Sequence, residues 1–188
     1  MKFEELKVEL NKYSLSRFIN KFLLSDKAIC FPGNENLILD MKETIANHFH
    51  IHTRNIEVVG SAKLGVSLNN QRLGKPYDND SDVDLVIVCS ELFDRVWNDL
   101  SQLELKKYTL GEKDRAKLED CCSYIRDGNI RPDMLPDKLP FRGHWWEIFN
   151  KVSNKKQYEN REIRGRLFKN WFFVEKYYSI QLIKIKGG

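Results

Sequence analysis

Residues 80–89 read Asp-Ser-Asp-Val-Asp-Leu-Val-Ile-Val-Cys, so acids run without a break into an apolar stretch. Val83–Cys89 is the strongest strand signal in the chain. Side chains alternate along a strand, which points Asp82 and Asp84 to one face. Two carboxylates held side by side repel, and each raises the pKa of the other. The end of an apolar strand is a poor place for such a pair unless a cation neutralises it. Ligands that are all oxygen favour a hard ion, Mg2+ or in its place Mn2+, of the kind that sits between carboxylates and substrate phosphates.

The segment upstream complements the pair. Asn55–Val59 reads as a short buried strand that ends at Gly60-Ser61, and Ala62–Leu68 as a short helical stretch. Glycine lets the backbone come close to a ligand, a helix start offers free N–H groups to a phosphate, and Ser61 adds a hydroxyl donor. Gly65 allows close packing of this turn against the acids. Lys63 is placed to reach phosphates, although a lysine in a first helical turn is more often simply exposed. Asn69–Asp80 is polar and holds Gly74 and Pro76, so it reads as a loop.

Around this centre the period is helical. Phe3, Leu6, Leu10 and Tyr13 recur at helical spacing, a second short helix covers Ser16–Leu24, and Pro32-Gly33-Asn34 breaks the chain. Leu37, Ile38, Met41, Ile45 and Phe49 then form one helical face. Ser90 is the expected N-cap of a helix bearing Leu92, Phe93, Val96, Trp97 and Leu100. Gly111–Asp127 reads as a helix, and Arg131–Pro140, with three prolines, as a surface connection. Trp145, Ile148, Phe149 and Val152 form a stripe, Glu162–Phe168 a strand, and Asn170–Lys186 a closing helix. This order predicts an α/β (α+β) architecture: a small mixed sheet with helices packed on one face. The expected organisation is one domain over 1–188, with a helical N-terminal extension (1–50), a core (55–169) and a C-terminal helix (170–188).

Composition narrows the class. The 188 residues are 41% hydrophobic and 31% charged, which suits an ordinary globular protein. The N-terminus is charged and periodic, unlike a signal peptide, and no apolar run approaches the roughly 20 residues that span a bilayer. Cys30, Cys89, Cys121 and Cys122 show no CxxC or zinc spacing, so reduced thiols and a cytoplasmic location are expected. Lys151–Gly188 holds ten Lys or Arg against three Glu, a balance of +7 in a chain of net +4. That asymmetry suits either a phosphate-rich partner or a solvated basic face. His48, His50 and His52 alternate across a helix end without companion ligands, which argues against a metal role. The tryptophans and phenylalanines near 145 and 171 are read as core rather than as base-stacking platforms.

Gly60-Ser61 followed by Asp82-Val83-Asp84 resembles the signature of the nucleotidyltransferase superfamily that includes DNA polymerase beta, in particular its small bacterial members. The motif covers Val58–Val88. The resemblance implies that Asp82 and Asp84 hold the metal and that Gly60 and Ser61 anchor the outer phosphates of a nucleoside triphosphate. It implies transfer of a nucleoside monophosphate to a hydroxyl on RNA, a protein or a small molecule. Two departures stand out. Asn69–Pro76 is an insertion relative to most members. The third carboxylate that active members carry on a later strand has no clean match: Glu162 is the candidate, an exposed edge residue is the competing reading, and Asp133 is a weaker choice. The family's late strand pairs beside the Asp-x-Asp strand, so Glu162, Arg164 and Arg166 are expected towards the cleft and Ile163, Gly165 and Leu167 towards the helices. Two arginines there suit a triphosphate. The missing acid also admits a second reading, a catalytically weak or inactive module that binds a nucleotide or a partner protein. Relatives of that kind occur in toxin–antitoxin and antiviral defence systems.

Overall fold

The computed structural model describes residues 1–25 and 27–187. Four strands form one mixed sheet: β1 (Ile56–Val59), β2 (Val83–Val88), β3 (Asn129–Ile130) and β4 (Ile163–Phe168), in the order β1-β2-β4-β3. β2 runs antiparallel to β1 and parallel to β4, and β3 runs antiparallel to β4. The helices are α1 (Phe3–Lys12), α2 (Leu15–Phe18), α3 (Glu35–Phe49), α4 (Ser61–Leu64), α5 (Ser90–Glu104), α6 (Glu112–Arg126), α7 (Pro140–Ser153) and α8 (Trp171–Lys186). Among the described residues no helix is long and apolar enough to cross a membrane.

Alternation along the strands divides the core in two. Ile56, Val58, Val83, Leu85, Ile87, Ile163 and Leu167 face α3, α5, α6 and α7. Val59, Val86, Val88 and Phe168 face the opposite way, against Leu6 and Leu10 of α1, Phe18 of α2 and Val174, Tyr178 and Leu182 of α8. The expectation of helices on one face is therefore corrected: both faces are covered. The physical reason lies in β2, where Val86 and Val88 share the parity of the two aspartates. A strand that is apolar on both sides has to bury both. Each such buried side chain contributes roughly 1.5–3 kcal/mol relative to leaving it exposed.

Several local expectations shift. The helix after Gly60 stops at Leu64 because Gly65 turns the chain at φ 87°. Residues 66–76 then fold back as a tight flap, with a bridge between Val66 and Pro76 and Ser67 N–H donating to the Lys75 carbonyl at 2.9 Å. Cys89, not Ser90, caps α5, its sulfur accepting from Leu92 N–H at 3.5 Å. α2 widens into a π turn over Ile19–Leu23, which keeps Phe18, Ile19 and Leu23 on one buried side. The 131–140 connection is anchored rather than superficial, because Leu135 and Leu139 are buried.

Candidate active site

β2 and β4 bring the predicted residues together. The register sets Asp84 beside Val59 of β1 and Arg164 of β4. Asp82, Asp84, Arg164 and Arg166 line one cleft of about 800 Å3 with Gly60, Ser61 and Glu162. Gly165, Ile163 and Leu167 take the other face; a Cβ on Gly165 would overlap the rings of Phe149 and Trp145 on α7. Arg164 and Arg166 are thereby directed away from α7 and into the cleft, and Arg166 meets Tyr177 of α8 on that side.

Gly60 explains why the first strand ends where it does. Its backbone sits at φ 65°, ψ −145°, a region that only glycine adopts without strain. A Cβ there would lie 3.2 Å from Asp84 Oδ2. The bare backbone of the Gly-Ser turn is pressed against the carboxylate of the second aspartate, and Ser61 follows at the start of α4.

Electrostatics single out Asp84. Its side chain is exposed to solvent in the cleft, yet many protein atoms crowd around it. That enclosure, and next the charge of Asp82, push its carboxyl up to about 6; Arg164 and Arg166 offset this only in part. Burial also raises Asp82, against the pull of Arg164. Arg164 Nη1 lies 3.1 Å from Asp82 Oδ2, and its Nη2 donates to Glu162 Oε2 at 2.6 Å. Glu162 is accordingly held below its ordinary range, chiefly by that hydrogen bond. Arg166 lies 4.5 Å over the ring of Tyr177 and donates to Asn129 Oδ1 at 3.3 Å.

Some predicted residues are placed otherwise. Lys63 is buried and donates to the Ser25 carbonyl, and it does not line the cleft. Asp133 lines the cleft but is paired with Arg131 at 2.7 Å. His48 contacts the His144 carbonyl at 3.1 Å and His52 accepts from Arg54 N–H. Among the described residues no group of three His, Cys, Asp or Glu side chains is placed to hold a metal ion. The chemistry of the two aspartates suits a divalent ion whose other ligands would come from a substrate, since Arg164 and Arg166 offset their charge only in part.

Sequence reasoning missed the clamp behind the pair. Arg161 is buried, and its guanidinium donates to the carbonyls of Asp78 at 2.7 Å and of Asn79 and Ser81 at 3.4 Å, while stacking 5.1 Å over Tyr77. Ser81 Oγ donates to Asp78 Oδ1 at 2.7 Å within the same turn. Together these contacts fix the loop that delivers Asp82. No local sequence pattern signals a contact spanning 80 residues. Arg72 and Lys75 of the flap also line the cleft.

Comparison of the chain with known protein families, with curated proteins and with solved structures finds no match.

Proposed function

We propose that this chain is a nucleotidyltransferase that binds a nucleoside triphosphate with Mg2+ (or Mn2+) and moves its nucleoside monophosphate to an acceptor hydroxyl. The observation that carries the proposal is the meeting of Gly60 with the Asp84 carboxylate, with Asp82 on the same face and Arg164 across the register. Asp82 and Asp84 are the residues that hold the ion, which supplies charge neutralisation at the phosphates. Ser61 and the backbone of the Gly60 turn receive the outer phosphates. Arg164 and Arg166 offset the triphosphate's charge and orient it with fork-shaped donors. The acceptor oxygen bonds to the α-phosphorus as the bond to pyrophosphate breaks, and positioning and preorganised charge supply most of the rate. The resemblance to the nucleotidyltransferase superfamily supports the same chemistry.

A second reading, a nucleotide- or partner-binding module with little transfer, is favoured by one observation. Glu162, the candidate third acid, is engaged by Arg164 at 2.6 Å. Incubation with each α-labelled triphosphate, Mg2+ and cell extract separates the two. Label retained on RNA, protein or a small molecule, and lost in Asp84→Asn, is the expected outcome. Mg2+-dependent binding without any labelled product selects the nucleotide-binding module, and no binding of any triphosphate refutes transfer and nucleotide binding alike.

A further inference from the structure

Arg164 already answers part of the charge of the acid pair. It contacts Asp82 at 3.1 Å and Glu162 at 2.6 Å, and it stands across from Asp84 in the register. One guanidinium is thus shared by the carboxylates that immediately precede β2 and β4, beside the proposed place of the divalent ion. We propose that Arg164 is a placeholder cation that makes metal binding conditional on the triphosphate. Without nucleotide, its charge weakens the hold of Asp82 and Asp84 on a free divalent ion. When a triphosphate enters, Arg164 turns from Asp82 to a phosphate oxygen and frees the carboxylate for the ion that arrives with the nucleotide. This inference rests on the site described under Proposed function.

Three features suit Arg164 to the exchange. Its side chain is 56% exposed, so it can rotate without disturbing the core. Glu162, just before β4, tethers one arm of the fork, so the other arm can change partner while the guanidinium stays at the cleft. A guanidinium binds a carboxylate and a phosphate with the same paired geometry, so the two partners are interchangeable. Arg166 has no such role: it stacks on Tyr177 and bonds Asn129, away from the carboxylates of Asp82 and Glu162.

The proposal predicts effects of opposite sign from one substitution. Binding of Mn2+ alone is followed by the loss of its free paramagnetic signal, and binding of each labelled triphosphate with Mg2+ by equilibrium dialysis. The variants are Arg164→Ala, Arg164→Lys, Asp84→Asn and the double variant Arg164→Ala/Asp84→Asn, each checked to unfold in a single cooperative transition. Arg164→Ala is expected to bind Mn2+ alone about tenfold tighter than the wild type, since a like charge at ion-pair distance has been removed. It is expected to bind the triphosphate about tenfold more weakly. Arg164→Lys keeps the charge and stays weak for Mn2+ alone, and adding Asp84→Asn abolishes the gain. If Arg164→Ala binds Mn2+ no tighter than the wild type, while Asp84→Asn still loses triphosphate binding, the placeholder is overturned and the site stands. If Asp84→Asn binds the triphosphate as the wild type does, the site itself is wrong and the placeholder falls with it.

Discussion

Asp84→Asn is predicted to stabilise the metal-free protein at neutral pH, although it removes a residue of the proposed site. In the folded chain the Asp84 carboxyl rises from 3.8 to about 6, first because protein encloses it and then because Asp82 carries a like charge. An acid with a raised folded pKa weakens the fold once it ionises, because the unfolded chain gives up the proton more readily. The cost is absent below the unfolded value of 3.8, grows as the pH rises towards about 6, and is constant above that. Taken at face value such a shift is worth about 3 kcal/mol. Asp84 meets solvent, and screening reduces the figure to about 1 kcal/mol. Asparagine has nearly the same shape and never ionises, so the variant escapes the cost. For a chain of this size 1 kcal/mol moves the melting temperature by roughly 2–4 °C. Urea or thermal melts in chelator at pH 4, 6 and 8 measure the gap, which should open with rising pH and close when Mg2+ and triphosphate are added. A variant less stable than the wild type at pH 8, or a gap that ignores pH, refutes the reasoning.

Other substitutions probe the scaffold. Gly60→Ala places a Cβ 3.2 Å from Asp84 Oδ2 at φ 65°, and should cost about 1–3 kcal/mol in chemical melts and abolish triphosphate binding. Arg161→Met leaves the carbonyls of Asp78, Asn79 and Ser81 without their donor; a loss of about 3 kcal/mol is expected, with greater protease sensitivity between residues 78 and 81. Gly165→Ala overpacks Phe149 and Trp145 and should cost about 1–3 kcal/mol, part of which Phe149→Leu restores in a double-variant melt.

The placing of the candidate residues was legible because its determinants are local. Asp82 and Asp84 are two residues apart at the start of β2, and Arg164 and Arg166 two apart on β4, so period-two alternation sets each pair on one face. Gly165 told the same story from the other side, since small residues face crowded helices. The second layer of helices was missed although β2 carries its signal: Val86 and Val88 alternate with Val83, Leu85 and Ile87, so beyond Asp84 both faces are apolar. β3 was not legible: two residues carry no period, and Asn129–Ile130 becomes a strand only because β4 offers it an edge. Lys63 shows the limit of positional reasoning. Its place in the first turn of a helix suggested a phosphate contact, but its ammonium turns to the Ser25 carbonyl, which sequence proximity does not reveal. Arg161 was hidden for the same reason.

The most direct test of the account is the affinity of the purified chain for each nucleoside triphosphate, measured by equilibrium dialysis with Mg2+ and again with chelator, for the wild type, Asp82→Asn and Asp84→Asn. The account predicts binding of at least one triphosphate that requires the divalent ion and falls by at least about tenfold in both variants, with the fold intact. Binding that is indifferent to chelator, or unchanged in both variants, contradicts it.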